Sequence, residues 1–186
     1  MAVPEAPLEE TEYGRVPKGT GWFVVNAREA PWLRMKGRGV STDFEGKHSG
    51  GEAEFSQLGV NIRVLQLDEP MSIYHWEADQ EDFLVLSGEA LAIVDGEERR
   101  LKAWDFFHCP AGTDHVVIGA GNGPCVIVAV GARDKSVGPD WGAYRVNETA
   151  LKHGAGVEEE TSDADEAYAE PFDRGRPARY GDGWLP

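Results

Sequence analysis

The chain has 186 residues and a formal net charge of −15 at pH 7, and 41% of its residues are hydrophobic. This length fits one domain with extensions, which can bury a core without disulfides or metals. The negative charge argues against nucleic-acid and anionic-membrane partners, because both select a basic surface. The longest apolar run, from Cys125 to Ala132, is far too short to cross a bilayer. With no signal-peptide pattern at the start, we expect a cytoplasmic protein.

The N-terminal part of the chain has little regular patterning. Residues 1–20 are rich in Pro, Glu and Gly and lack periodicity, which predicts a flexible arm. A first strand is expected at Gly21–Val25, where a predicted β-domain over 21–135 begins. Residues 36–52 contain many Gly, Ser and Lys residues and predict a loop.

From residue 58 onward the chain is a series of short β-type segments separated by Gly or Pro. The expected strands are Val60–Leu67, Met71–Glu77, Glu81–Leu86, Ala90–Val94, Arg99–Leu101, Phe106–Cys109, His115–Ile118 and Cys125–Val130. The pair Asp95-Gly96 is a two-residue hairpin signal. Many short strands without a long helical pattern predict an all-β sandwich or barrel.

The predicted C-terminal extension, 136–186, is less regular but contains more aromatic residues than a disordered tail. They are Trp141, Tyr144, Tyr168, Phe172, Tyr180 and Trp184. We expect these rings to dock on the barrel or on a neighbouring subunit, with a short helix over Asp163–Ala169 capped by Ser162 and a solvated acidic run at 157–170. Exposed sheet edges need cover, and twofold dimers are the commonest oligomers, so we expect a homodimer.

Four side chains of metal-ligating type are concentrated in one part of the chain: His75, Glu77, Glu81 and His115. Imidazole and carboxylate are ligands for borderline or hard divalent cations. On a strand, residues two apart face the same way, so His75 and Glu77 are expected on one face.

These residues resemble the first sequence motif of the cupin superfamily. That motif runs Gly, five residues, His-x-His, three or four residues, Glu, six residues, Gly. His75 matches the first His, Glu77 replaces the second, Glu81 matches the Glu and Gly88 matches the closing Gly, whereas Pro70 stands in place of the first Gly.

The second cupin motif runs Gly, five residues, Pro-x-Gly, two residues, His, three residues, Asn. Pro110, Gly112 and His115 match it, whereas Trp104 stands in place of the first Gly and Gly119 in place of the Asn.

The resemblance covers roughly residues 58–132 and implies a double-stranded β-helix, the jelly-roll barrel of cupins. In such a barrel, strands that are distant in sequence converge at one end, which would bring His115 to His75 and the two glutamates. Gly88 and Gly112 are then expected at tight turns.

The resemblance implies one divalent metal ion held by His75, Glu77, Glu81 and His115. Two histidines and two carboxylates favour iron, manganese or zinc, and nickel or cobalt are compatible. The implied function is a metal-dependent dioxygenase, isomerase or lyase acting on a small oxygen-rich molecule such as an organic acid, a sugar or a phenolic. The alternative is a non-catalytic cupin that binds a small, sugar-like molecule with a structural metal or none, since a fold does not fix a function.

Two further residues are weaker candidates for the site. His108 could face the cavity as an acid–base group, although a packed structural histidine is the simpler interpretation. Arg63 could pair with a substrate carboxylate, although an arginine that faces solvent, on a strand with one exposed face, is the simpler interpretation. Cys109 and Cys125 are expected to be buried free thiols. The apolar lining is expected from Phe83, Val85, Phe106, Val117 and Ile127.

Overall fold

Three sheets of two, seven and five strands form most of the regular structure in the residues that the computed structural model describes, which are 2–134, 140–168 and 175–186. The strands are β1 (Leu8–Thr11), β2 (Gly14–Pro17), β3 (Trp32–Arg34), β4 (Val40–Thr42), β5 (Leu58–Leu65), β6 (His75–Glu77), β7 (Glu81–Ser87), β8 (Glu89–Val94), β9 (Glu97–Lys102), β10 (Phe106–Cys109), β11 (His115–Ala120), β12 (Cys125–Ala132), β13 (Gly142–Tyr144) and β14 (Arg176–Ala178). Two short helices, α1 (Glu148–Lys152) and α2 (Ala164–Ala167), lie between β13 and β14.

The large sheet has the order β10-β7-β12-β5-β4-β3-β14, and the small sheet has the order β13-β6-β11-β8-β9. The paired strands of the described residues run antiparallel in both sheets. One inner core joins the sheets, with buried side chains from both of them: Leu65, Phe83, Val85, Ala90, Cys109, Val117, Cys125, Ile127 and Ala129. The architecture is the all-β, double-stranded β-helix expected from the motifs.

The strands expected between residues 58 and 130 are all present, and their ends lie within two residues of the prediction except at β6. β6 begins at His75 instead of Met71, because the chain bends at residues 71, 72 and 74 after the isolated bridge of Pro70 to Ile118. The hairpin signal is confirmed. Asp95 and Gly96 connect β8 to β9 with φ values of 49° and 81°, which is the left-handed pair of a type I′ turn.

The N-terminal expectations differ from the structure. Within the segment expected to be a flexible arm, β1 and β2 pair as a hairpin, and Val16 is fully buried. The strand predicted at Gly21–Val25 is wrong, because Trp22 makes a single bridge to Glu5 and Val24 is 76% exposed. An apolar run forms a strand only where a partner strand and a buried face are available. The loop expected over 36–52 contains the short strand β4.

The described parts of the C-terminal extension pack on the outer faces of the large and the small sheet. Ala150 of α1 packs with Leu91, Ile93 and other side chains on the outer face of the small sheet. On the large sheet, β14 pairs with β3, and Tyr180 and Trp184 pack against the fully buried Trp32. None of the helices in the described ranges has the length and apolar character of a membrane span.

The helix expected over Asp163–Ala169 is present as α2, but its N-cap is Asp163, whose side chain accepts from the amide of Asp165, and not Ser162. Residue Ala169 and the ring of Phe172 fall in 169–174, outside the described residues.

Both motif glycines have positive φ, 74° for Gly88 and 82° for Gly112, as their turn positions require. A Cβ at Gly88 would also lie 2.4 Å from the carbonyl oxygen of Pro124. Trp104, which stands where the second motif has glycine, also has a positive φ of 75°. This departure from the motif therefore keeps the glycine backbone conformation in a residue for which that conformation is strained.

We expect Trp184→Ala to lower the free energy of unfolding by about 1–3 kcal/mol, because the indole packs on Trp32 at a ring-centroid distance of 5.1 Å. Urea denaturation followed by circular dichroism measures the change. Trp22→Ala is the matched control, since its side chain is 52% exposed. Equal losses in the two variants would show that the C-terminal rings contribute nothing specific.

A second prediction concerns Glu45, which is 7% exposed and forms a bidentate pair with Arg133 at 2.8 and 3.1 Å. Burial alone would raise the pKa of Glu45, but hydrogen bonds from Arg133 and Phe55 outweigh burial and lower it from 4.5 to about 2. A carboxylate with a lowered folded-state pKa stabilises the protein above pH 4.5, and this contribution disappears as the pH falls toward 2.

Glu45→Gln should therefore destabilise the protein at pH 7, and the gap between variant and wild type should close as the pH falls from 4.5 to 2. Unfolding free energies measured across that range check this. Glu52→Gln on the same loop, with a side chain that is 58% exposed, is the control. A gap that stays constant down to pH 2 would contradict the assigned role.

Candidate metal centre

Three of the predicted ligands meet where the large and the small sheet converge. His75 opens β6 and His115 opens β11, and the two residues are direct partners in the small sheet. Glu81 opens β7 in the large sheet. The histidines are 6% and 3% exposed. The barrel thus brings together residues that are 40 positions apart in sequence, as the motif spacing predicts.

Backbone carbonyls hold both imidazole rings in one orientation. Nδ1 of His75 lies 2.7 Å from the carbonyl oxygen of Ile73, and Nδ1 of His115 lies 3.1 Å from that of Thr113. A carbonyl can only accept, so each Nδ1 carries the hydrogen and donates it. Both Nε2 atoms then face Glu81, at 3.9 Å from His75 and 3.1 Å from His115. A hydrogen-bonded Nδ1 leaves Nε2 as the ligand atom, which is the usual arrangement of a metal-binding histidine.

The carboxylate of Glu81 has one close but poorly aligned partner. Its buried Oε2 atom lies 3.1 Å from Nε2 of His115, and no group in the described residues donates to it with good hydrogen-bond geometry. One ligand atom from each of His75, Glu81 and His115 lies within 4.8 Å of the others. A buried carboxylate oxygen without a well-aligned donor is costly, and a metal ion between the three ligand atoms would satisfy it in place of a proton on His115. The residues present therefore fit a divalent metal ion.

The electrostatics of the cluster favour positive charge between these groups. Burial alone would raise the pKa of Glu81, but contacts with His115 and the charges of His75 and Arg63 hold that pKa below its ordinary value. Burial alone would lower the pKa of His115, but its hydrogen-bond contacts with Cys109 and Glu81 raise it to about 10. Glu81 is therefore ionised at neutral pH, and a proton on His115 competes with a metal ion for the same space.

Glu77, the fourth predicted ligand, lies at the edge of this group. Its Oε1 atom is 3.2 Å from Nε2 of His75, and its side chain is 32% exposed. The mutually close set of ligand atoms comprises the other three residues. The structure thus brings three of the four predicted ligands together and places Glu77 beside them, on the more solvent-exposed side of His75.

Cys109 is a contact of the site that sequence reasoning missed. Its Sγ atom lies 3.2 Å from Nδ1 of His115, and the residue is 2% exposed. It is also the register partner of Glu81, across β10 and β7. The thiol therefore packs against the ring of one ligand, and the backbone of Cys109 pairs with that of another. The signal was available, because alternation along β10 directs Phe107 and Cys109 to the same face.

Two adjoining cavities lie beside the cluster. The first, of about 150 Å³, is lined by Asn61, Arg63, Met71, Ser72, His75, Glu77, Glu81, Phe83, His115, Val117 and Ala129. The second, of about 280 Å³, shares Arg63, Met71, Ser72, His75 and Glu77 and continues to Met35, Arg38, Trp141, Tyr144 and Tyr168. The C-terminal extension thus contributes aromatic walls that the motifs could not indicate.

The weaker candidates separate clearly. Arg63 lines both cavities, so its simpler, outward interpretation is wrong. His108 is on the opposite face of β10 from Cys109, with a side chain that is 52% exposed and bonded to Asp82 at 2.7 Å, so the proposed cavity-facing role has no support. It alternates with the inward residues of β10.

The expected apolar lining is also only partly found. Phe83 and Val117 line the first cavity. Val85 and Ile127 lie in the inner core, and Phe106 is 63% exposed. Cys109 and Cys125 are both buried and free, as expected.

Among solved structures, the chain is similar to a protein from Acidithiobacillus ferrooxidans that is provisionally named a sugar phosphate isomerase, with 19% identity, 57% of this chain and 64% of that chain covered, and a TM-score of 0.44. It is also similar to a sugar phosphate isomerase of the cupin superfamily from Silicibacter pomeroyi, with 25% identity, 60% and 67% coverage, and a TM-score of 0.44. The polyketide cyclase RemF from Streptomyces resistomycificus shows 11% identity, 60% and 79% coverage, and a TM-score of 0.48. The chain spans less than two thirds of the length of the first of these structures.

The sequence matches no curated protein. Residues 62–131 match the family model Cupin_2, described as a cupin domain. This segment runs from β5 to β12 and contains His75, Glu81 and His115. Its strands form the double-stranded β-helix that the two motifs imply, so residues 62–131 are a cupin domain.

Proposed function

We propose that this chain is a metal-dependent cupin enzyme that acts on a small, oxygen-rich organic molecule. The observation that carries the proposal is the convergence of three ligand atoms: Oε2 of Glu81 faces the Nε2 atoms of His75 and His115, and one ligand atom from each residue lies within 4.8 Å of the others. Two oriented imidazoles and one carboxylate on one side of a cavity form the kind of site that leaves coordination positions open for a substrate. Iron, manganese and zinc fit this ligand set best, and nickel or cobalt are compatible.

The residues of the chain have separate roles in this proposal. His75, Glu81 and His115 hold the metal, and the carbonyls of Ile73 and Thr113 keep the imidazoles in the binding tautomer. When bound, the metal supplies Lewis-acid chemistry at a substrate oxygen, or dioxygen activation if it is iron. The surrounding cavity walls orient the substrate and limit the access of water.

Glu77 is proposed as the outer, weaker ligand. Its carboxylate lies within 3.2 Å of Nε2 of His75 but is partly exposed, so it loses less by remaining in water than Glu81 does. Together with Glu81, it would neutralise a divalent cation. We therefore expect Glu77→Gln to weaken metal binding less than a change of either histidine.

Metal binding to the folded protein is the direct test. At a hundredfold excess over the dissociation constant, a metal bound only by the folded state adds about 2.7 kcal/mol, which corresponds to a rise of about 5–10 °C in Tm for a domain of this size. We expect this rise for the metal-free wild type with Mn²⁺, Zn²⁺ or anaerobic Fe²⁺. His75→Ala and His115→Ala should abolish it.

His108→Ala is the matched control, because this histidine is outside the site and bonds to Asp82. It should respond to metal like the wild type. A wild type that responds to none of these metals would overturn the proposed metal site.

Substitution with Co²⁺ separates an enzyme from a binding module with a closed, structural metal. The visible spectrum of bound Co²⁺ depends on its coordination number. A change in that spectrum on adding a small oxygen chelator such as glycolate would support open positions at the site. An invariant spectrum would favour the non-catalytic alternative.

A further inference from the structure

Arg63 places a positively charged side chain in the wall of both cavities at the candidate site. It belongs to β5, two residues after Asn61, so both side chains lie on the same face of the large sheet. The backbone carbonyls of Met71 and Arg38 accept hydrogen bonds from Nη2 of Arg63 at 2.7 and 3.3 Å, and Nη1 lies 3.8 Å from the sulfur of Met35. These contacts are with neutral groups.

The charge of Arg63 is not balanced by a contacting carboxylate. Within the described residues, no carboxylate oxygen lies within 4.0 Å of its guanidinium nitrogens. Its Nε atom is buried and has no hydrogen-bond partner in the part of the chain that the structure describes. Burial and the nearby guanidinium of Arg38 lower the pKa of Arg63 to about 10, which leaves it charged at neutral pH. A charge in this position is stabilised by an anion in the cavity.

Arg38 adds a second positive charge to the same wall. It is 8% exposed, and its guanidinium lies 4.5 Å from the ring centroid of Tyr168. Both arginines line the second cavity, next to His75. Two glutamates would offset a divalent metal, whereas Arg63 has no contacting carboxylate among the described residues.

Asn61 supplies a polar group between the arginine and the metal ligands. Its Oδ1 atom is buried and has no partner in the described residues. It lines the same cavity as Arg63 and Glu81. Asn61 therefore offers an acceptor to a hydroxyl group, Arg63 offers a positive charge to an anionic group, and the metal ligands provide a place for a further oxygen atom.

We propose, on the basis of the proposed function, that the substrate is a small organic anion whose carboxylate or phosphate group pairs with Arg63 while another of its oxygens lies at His75, Glu81 and His115. Arg63 then determines substrate class, since a neutral sugar or phenol leaves its charge unpaired. Asn61 accepts a hydroxyl hydrogen of the same molecule. The first cavity, of about 150 Å³, suits a molecule of only a few carbon atoms.

The test uses three probes with one carbon skeleton and different ends: glycerol, glycerate and glycerol 3-phosphate. Calorimetric titration of the metal-loaded, full-length protein measures their affinities. We expect at least one charged probe to bind about 10- to 100-fold more tightly than glycerol. The comparison of glycerate with glycerol 3-phosphate shows which anionic group the site prefers.

Arg63→Gln should abolish this preference without weakening metal binding, and Arg63→Lys should retain part of it, because a lysine keeps the charge but loses the planar fork. Arg99→Gln is the control, since that arginine has a 62% exposed side chain on the outer surface. If Arg63 only supported the carbonyls of Arg38 and Met71, its replacement would change the stability of the protein and not its selectivity among the three probes.

Equal affinity for glycerol and both anions would overturn the inference, as would a preference that persists in Arg63→Gln. Metal binding is measured separately, so its failure is distinguishable. If no metal binds, the proposed function fails, and the same titrations on the metal-free protein still decide the role of Arg63. If Arg63→Gln does not fold, the comparison of Arg63→Lys with the wild type decides it, with unchanged selectivity counting against the inference.

Discussion

The pairing of His75 with His115 across two neighbouring strands, opposite a buried glutamate of the facing sheet, is the constraint on which the rest of the site depends. Each imidazole is fixed by a carbonyl from its own chain segment, two residues earlier in sequence. The backbone thereby selects the tautomer, and the sheet-to-sheet spacing selects the distance to Glu81. Neither histidine could be moved along its strand without losing both relationships at once.

The barrel has buried apolar layers outside its inner core. The inner core lies between the sheets, a second layer covers the outer face of the large sheet, where Val64 and Val126 pack with Trp32, and a third covers the outer face of the small sheet. Asn61 and Arg63 of β5 therefore face inward with Leu65, whereas Ile62 and Val64 face outward, under the N-terminal and C-terminal segments. This orientation of β5 places the guanidinium of Arg63 inside the barrel.

The orientation of β5 also explains which features could be predicted from the sequence and which could not. The strands from 58 to 130 follow from local patterning, and three of the metal ligands follow from motif spacing, because both are local properties. The direction of Arg63 did not follow. Alternation identifies two faces of a strand but not which of them meets solvent, and the answer depends on residues more than 100 positions away that cover the apolar face. The strand predicted at Gly21–Val25 failed for a related reason, since apolar composition alone supplies no partner strand.

The short strand β6 has a consequence for where the folded unit ends. Only His75 of β6 is paired to β11, whereas all three residues of β6 are paired to β13, through Gly142, Ala143 and Tyr144. The strand that presents His75 and Glu77 is thus held in the sheet chiefly by residues beyond the segment matched by the family model. A fragment trimmed to that segment would keep the ligand sequence but leave its first ligand on a loosely held edge. The smallest unit able to present the whole ligand set therefore includes β13.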